Sequence, residues 1–304
     1  MSRGTAQPLL KVYHPLPKFP PLSLSATRCE LNCRHCNRVY LTSMEAVQTP
    51  EALLAACHRL QREGAIGALL SGGSRRDGTM LNLDAPAMIQ AIHRAHAESG
   101  LIFNLHPGLV DASLAQALRG GVDFASLDIP SPRALRDVLG LDVTPGAYLD
   151  SYRRLQDAGI PVAPHVTVFD GTEAELLAPL AATQDMAPPE VIVVIVFTPT
   201  RGTPMADAPP PSPDVVGGVI SELAGLFPQS EISLGCMRPR TRGLHLAIEE
   251  AALEAGIARI ELPMRKTLEI ATSRGYTIRH FDACCALPAA FETRAVRPES
   301  GSHR

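Results

Sequence analysis

VIVVIVF, residues 191–197, is the longest purely apolar run in the chain. A strand with one face in water alternates apolar and polar residues, whereas an unbroken run is buried on both faces. A parallel sheet covered by helices provides that burial. Working outward, apolar runs of similar character recur at 22–26, 68–70, 101–105, 124–129, 162–168, 232–234 and 258–262, giving eight strand candidates. Helical patterns fill the intervals at 50–63, 85–99, 113–119, 132–138, 145–158, 173–183, 213–226, 244–255 and 265–274. Several open on Pro or stop just before Gly, as at Gly64, Gly100, Gly159 and Gly256. This repeated β-α alternation predicts an α/β fold, a (β/α)8 TIM-like barrel with a C-terminal extension. Residues 1–20 are Pro-rich and aperiodic and read as an extended N-terminal arm. The barrel spans 21–275. Residues 276–304 form a C-terminal segment whose end, beyond about 286, reads as a loose tail. The Pro-rich stretch 206–213 is a loop, because the alternation resumes after it.

Composition narrows the function. The chain has 304 residues, 45% hydrophobic and 19% charged, so it can bury a large core. Lys and Arg number 28 against 31 Asp and Glu, a net charge of −3, which argues against a grip on nucleic acid. With 8 Phe, 5 Tyr and no Trp, a base-stacking platform is also disfavoured. A seven-residue apolar run falls far short of a membrane span. The N-terminus carries no apolar stretch of signal-peptide type. A cytoplasmic location is expected, where the seven cysteines stay reduced. An odd number suits metal binding or catalysis better than a disulfide framework.

In a parallel barrel the chemistry sits at the C-terminal ends of the strands. Just past the first strand, RCELNCRHCNRVY (28–40) places Cys29, Cys33 and Cys36 as C-x3-C-x2-C. Three thiolates on one loop can hold three corners of a [4Fe–4S] cluster and leave one iron open. A zinc knot is the plainer alternative, but it prefers paired cysteine units closed by a fourth ligand, and no second pair follows nearby. Ser71, Gly72, Gly73 and Ser74 follow the second strand. Two glycines allow a close backbone approach to a ligand, although such a pair is commonly just a turn. Asn104 and His106, Ser126 and Asp128, and His165 end the next three strands and together suggest a polar rim. Residues 198–204 end the sixth strand and shape a pocket or form a plain Pro/Gly loop. Cys236 follows the seventh strand, and Cys284 and Cys285 are adjacent after the last helix. A tail folded over the barrel mouth would bring these three to a second metal site; otherwise each is a small buried residue. Cys57 reads as core. Arg238, Arg240 and Arg242 bind a carboxylate, cap that site or form a solvated charge run.

The C-x3-C-x2-C loop after the first barrel strand resembles that of the radical S-adenosylmethionine enzymes, with His35 at the ring position before the last cysteine. The resemblance implies that Cys29, Cys33 and Cys36 bind a [4Fe–4S] cluster whose open iron is chelated by S-adenosylmethionine. It implies that one electron then releases a 5′-deoxyadenosyl radical. It also implies that Ser71, Gly72, Gly73 and Ser74 hold the methionine moiety, with Ser74 where an acidic residue is usual. Asn104, His106, Ser126, Asp128 and His165 become cofactor or substrate contacts. HPGLVD (106–111), SLDIP (126–130), PHVTVF (164–169), LGCMRPR (234–240) and CCALP (284–288), in that order, further resemble subunits of the two-component lipoyl synthases. That likeness implies an auxiliary [4Fe–4S] cluster on Cys236, Cys284 and Cys285. Its sulfide would be inserted into an octanoyl chain on a lipoyl carrier domain. The implied partners are that carrier, a second homologous subunit, and an electron donor such as ferredoxin or flavodoxin. The alternatives are a barrel enzyme resembling biotin synthase, maturases or mutases, and a non-catalytic iron–sulfur subunit.

Overall fold

The computed structural model describes residues 7–169, 173–184 and 186–298. The outer ends of the arm and the tail, residues 1–6 and 299–304, lie outside the described residues. Eleven strands form one sheet: β1 (Leu9–Tyr13), β2 (Pro21–Ser23), β3 (Glu45–Ala46), β4 (Gly67–Ser71), β5 (Ile102–Leu105), β6 (Phe124–Asp128), β7 (Val162–Val168), β8 (Val191–Val196), β9 (Glu231–Leu234), β10 (Arg259–Glu261) and β11 (Thr277–Phe281). Their order is β11-β1-β10-β9-β8-β7-β6-β5-β4-β2-β3, and every pairing is parallel. The sheet curls into a half-barrel with helices packed outside it. All eight expected strands form, in the expected sequence. The first is shorter than expected, because the chain turns at Ala26 (φ 53°) into the cysteine loop.

The half-barrel differs from the simple alternation at its ends. LLKVY, inside the expected arm, is β1 and lies between β10 and β11. Thr277–Phe281 adds an edge strand, and the expected loose tail contains a helix, α9 (Ala289–Ala295). Both strand segments carry charged residues, so they lack the unbroken apolar signature of VIVVIV. Where a helix is expected over 132–138, residues 134–139 form a π-helical turn.

The helices follow their amphipathic patterns. In α1 (Pro50–Arg62), Leu53, Ala56, Cys57 and Leu60 are buried at the i, i+3, i+4, i+7 spacing. The Thr49 side chain caps its first turn. Cys57 is therefore core, as expected. Among the described residues no helix is long and apolar enough to cross a membrane.

β8 shows why VIVVIV has no polar position. Ile192, Val194 and Val196 pack in the large core that also holds helix residues such as Val216, Val219 and Leu223. Val191, Val193 and Ile195 point to the opposite face, into a second core with Tyr13, Phe19, Ile102, Phe124 and Phe281. The C-terminal segment supplies the rest of that second core through Ala283, Cys285, Ala286, Leu287 and Ala295. It plugs the half-barrel from inside.

Charge anchors the plug. Lys11 donates to Glu231 (2.8 Å) and to Glu292 of α9 (2.8 Å). Arg259, fully buried, pairs with Glu231, reaches Glu292 at 3.1 Å and donates to the Leu287 carbonyl at 2.6 Å. The Tyr13 hydroxyl donates to Glu292 at 2.8 Å, and the Arg259 guanidinium lies 5.4 Å from the Tyr13 ring centre. Removing one member of such a network strands its buried partners. Arg259→Ala is expected to cost about 3 kcal/mol or more. Denaturant unfolding should show this as a lower midpoint with little change in slope.

Candidate active site at the mouth of the half-barrel

The cysteine loop is stitched to β4 on one side. The Ser25 hydroxyl donates to the Arg28 carbonyl (2.9 Å) and accepts from the Gly73 N–H (2.7 Å). The Ser74 N–H donates to Cys29 Sγ (3.3 Å), and the Glu30 N–H to the Ser74 carbonyl (2.8 Å). Gly73 has to be glycine here, since a Cβ would come within 2.0 Å of the Arg28 carbonyl and 2.5 Å of Cys29 Cβ. On the other side, Asn37 donates to the Gly202 carbonyl (3.2 Å), and Tyr40 shares a hydrogen bond with Thr200 (2.8 Å). The 198–204 loop therefore braces the cysteine loop, while Thr198 lines the cavity.

Cys29, Cys33, Cys36, His35 and residues 71–74 line one cavity of about 370 Å3. Cys33 is buried; Cys29 and Cys36 are half-buried. A hydrogen bond from Cys33 holds the Cys36 thiol down at about 7, with help from Arg38 against the opposing effect of burial. The same bond, with burial, pushes Cys33 up. The His35 ring packs edge-on to Phe169 at 5.8 Å, and its Nδ1 is buried without a partner. Leu69, Ile195 and Phe197 supply an apolar floor and wall. Among the described residues no three His, Cys, Asp or Glu side chains converge tightly enough for a single metal ion. Cluster cysteines each take a different iron, so they have no need to converge.

His106 and Asp128 also line the cavity, 3.3 Å apart. Burial alone disfavours the His106 cation, but the charge and hydrogen bond of Asp128 outweigh it and raise the imidazole above its ordinary 6.5. Burial likewise opposes the Asp128 anion, yet His106, with His165 and His35, holds the carboxyl at about 2. His165 stacks on His106 at 5.9 Å and donates from Nδ1 to the Ala163 carbonyl (3.0 Å). Burial and then the His106 charge push it down to about 4. It stands behind His106 rather than on the cavity wall. Asn104 and Ser126 are buried and do not line the cavity either. Asn104 Nδ2 instead reaches Cys284 Sγ at 3.6 Å.

Of Cys236, Cys284 and Cys285, the last lies against Glu261, a residue that sequence reasoning missed. The Cys285 N–H donates to Glu261 Oε2 at 3.3 Å; Cys285 is buried, Cys284 half-buried and Cys236 exposed. Glu261 ends β10, so the strand-end rule applied to the last strand would have found it. Arg238 is neither a solvated charge nor a ligand-binding group. It is buried on Glu249 (Nε 3.0 Å) and on the carbonyls of Gly235, Glu261 and Leu262. Arg240 is exposed, 3.4 Å from the Cys236 carbonyl. The Arg242 side chain lies outside the described residues.

The His106–Asp128 pair stabilises the fold fully between pH 3.8 and 6.5, the ordinary values of its two groups. Its contribution fades as pH rises through the raised His106 value, and as pH falls to about 2. In Asp128→Asn, burial acts alone on His106, so an NMR titration of its ring should move from above 6.5 to below it. Gly73→Ala is expected to lose most of the iron taken up by the cysteine loop on anaerobic reconstitution. Gly225→Ala, where a Cβ meets nothing within 4 Å, should leave the iron content unchanged.

No family model matches the sequence, and no curated protein matches it. Solved structures do. Methylornithine synthase is 18% identical with a TM-score of 0.58, over 84% of this chain and 72% of that one. The FeFe-hydrogenase maturase HydG from Carboxydothermus hydrogenoformans is 16% identical with a TM-score of 0.61, over 94% and 70%. SuiB from Streptococcus suis, bound to S-adenosylmethionine, is 11% identical with a TM-score of 0.55, over 90% and 58%. The fold of this chain is theirs.

Proposed function

We propose that this chain is a radical S-adenosylmethionine enzyme. One observation carries the reading: the C-x3-C-x2-C loop and the Gly-Gly turn after β4 share one cavity at the strand ends. The residues fit the two cofactors. Cys29, Cys33 and Cys36 offer three thiolates, and the partnerless His35 Nδ1 marks a polar place beside them. The backbone of residues 71–74 suits the methionine amino and carboxylate groups of S-adenosylmethionine. When bound, the two cofactors together supply a carbon radical able to take hydrogen from an unactivated C–H bond. The protein's own work is positional. Gly73 lets the two loops touch, the 198–204 loop holds the cysteine loop from behind, and Leu69, Ile195 and Phe197 keep water from the reacting atoms. The His106–Asp128 pair, 3.3 Å apart, gives the rim a fixed polar contact for cofactor or substrate.

Within that class, the reading favoured is sulfur insertion of the lipoyl synthase type. Its support is the placing of Cys284 and Cys285 in the inner core beneath the cavity floor, with Cys236 exposed just after β9. Ile195 and Leu69 line the cavity above and pack against the inner core that includes Cys284 and Cys285 below. An auxiliary [4Fe–4S] cluster there would hold sulfide close to an acyl chain in a dry, apolar site. The substrate is then an octanoyl chain on a lipoyl carrier domain. A second homologous subunit and a ferredoxin or flavodoxin complete the system.

Anaerobic reconstitution is expected to load about eight iron per chain, and about four in Cys29→Ala/Cys33→Ala/Cys36→Ala. Wild type with reductant and S-adenosylmethionine should yield 5′-deoxyadenosine, and the triple variant none. Cluster binding without 5′-deoxyadenosine would point to a non-catalytic iron–sulfur subunit. With octanoylated carrier and partner subunit, the product should gain sulfur in its mass spectrum. Rearrangement or cleavage of another small substrate, without sulfur gain, would favour the maturase or mutase type.

A further inference from the structure

Four exposed arginines stand on the cysteine loop and the two segments that touch it: Arg34 and Arg38 on the loop, Arg136 on the π-helical turn and Arg201 after β8. None of them is paired with a carboxylate among the described residues. The three segments meet at Arg34. Its N–H donates to the Val138 carbonyl (2.8 Å), its guanidinium to the Asp137 carbonyl (3.3 Å), and its carbonyl accepts from the Met205 N–H (3.3 Å). Ala134, Val138, Phe169 and Phe197 form a small core of their own, with Met205 packed against it. The arginines therefore share one joined platform. Over residues 34–38, 133–137 and 201–207, five arginines face two carboxylates, Asp137 and Asp207, a local excess of three positive charges in a chain whose net charge is −3. Arg133 already answers Asp137 at 3.8 Å. Gathered exposed cations repel one another, so the patch does not serve the stability of the fold. Of the four unpaired arginines only Arg38 lines the cavity. The patch thus touches the cavity rim there and otherwise faces solvent.

We propose that this arginine patch is the docking surface for a small acidic one-electron carrier protein. The inference rests on the radical S-adenosylmethionine reading above and adds where the electron enters. That reading needs one electron at the cysteine loop. The carrier is oxidised by that electron, which passes to the cluster, and no atom changes hands. Electron transfer falls steeply with distance, so the carrier has to settle beside the thiols. Arg34 lies between Cys33 and Cys36 in the sequence and Arg38 two residues beyond. A carrier seated on the patch therefore abuts the loop that bears all three thiols. Exposed arginines steer and orient an acidic partner, an effect that shows in the salt dependence of association.

The test uses the reconstituted full chain and, as probe, a flavodoxin of acidic surface, with association measured by isothermal titration calorimetry. Binding to wild type is expected to weaken about tenfold between about 50 mM and about 300 mM salt. Arg34→Gln/Arg136→Gln is expected to weaken it about fivefold at the lower salt and to flatten the salt dependence. Arg119→Gln, exposed after the helix Ala112–Leu118 at the opposite ends of the strands, should leave binding unchanged. Formation of 5′-deoxyadenosine driven by limiting reduced flavodoxin should fall in step with affinity, and formation driven by dithionite should not change. Wild-type binding that is absent or indifferent to salt would overturn the docking surface, as would a double variant with wild-type affinity. A double variant that loses affinity for octanoylated carrier instead of flavodoxin would assign the patch to that substrate and overturn the proposal. An equal fall with dithionite would do the same, since the arginines would then act on the cofactors. A wild type that makes no 5′-deoxyadenosine with dithionite would overturn the enzyme reading, whereas a salt-dependent complex lost in the double variant would still support the docking surface.

Discussion

A curled parallel sheet that does not close on itself has an inner face, and that face has to be filled. Everything distinctive here follows from how the chain fills it. The lower part takes apolar side chains from alternate positions of the strands, such as Val191, Val193, Ile102 and Phe124, and a segment folded in from the C-terminal side. The cations Lys11 and Arg259 share that face and pair both with Glu231 and with Glu292 of the same segment. The plug is thus apolar where it meets strands and ionic where it is tied down. Because it occupies the lower part, the cavity remains only at the upper rim, where the strands end.

The rim itself is held by backbone contacts more than by side chains. The cysteine loop contains three residues with positive φ in its neighbourhood, Ala26, Asn37 and Arg38, which ordinary side chains adopt at some cost. The loop keeps that shape because Gly73, Ser74 and the 198–204 loop contact it from two directions. The electrostatic character of the rim is uneven. Cys36 is the more acidic thiol of the Cys33–Cys36 pair, and His106 with Asp128 forms a polar pair on the wall of the same cavity.

Much of this was readable before any coordinates. VIVVIVF required burial on two sides, and with the seven runs like it marked eight of the eleven strands in order. The cysteine spacing led directly to the loop that lines the cavity. What escaped notice has physical causes. LLKVY and TIRHF contain Lys11, Arg279 and His280, so they lack the apolar signature, yet they pair with each other at one edge of the sheet. The polar strand-end residues divided in two: His106 and Asp128 face the cavity, whereas Asn104, Ser126 and His165 sit below or behind it. A strand ending gives a direction but no depth. Arg238 looked like a surface charge because nothing in the sequence announces Glu249, its partner in another element.

The place of β1 in the sheet bears on the order of folding. Leu9 pairs with Thr277, and Lys11 with both Arg259 and Arg279, so nearly the whole length of the chain separates the partners. Contacts of such sequence separation form late, since a long loop must close before they stabilise anything. A ribosome would release β1 long before β10 and β11 exist to receive it. The central strands can assemble first, with the seam and the plug following once the final strands emerge. Cys284 and Cys285 arrive with that last step, so the thiols beneath the cavity come together only when the rest of the half-barrel is already built.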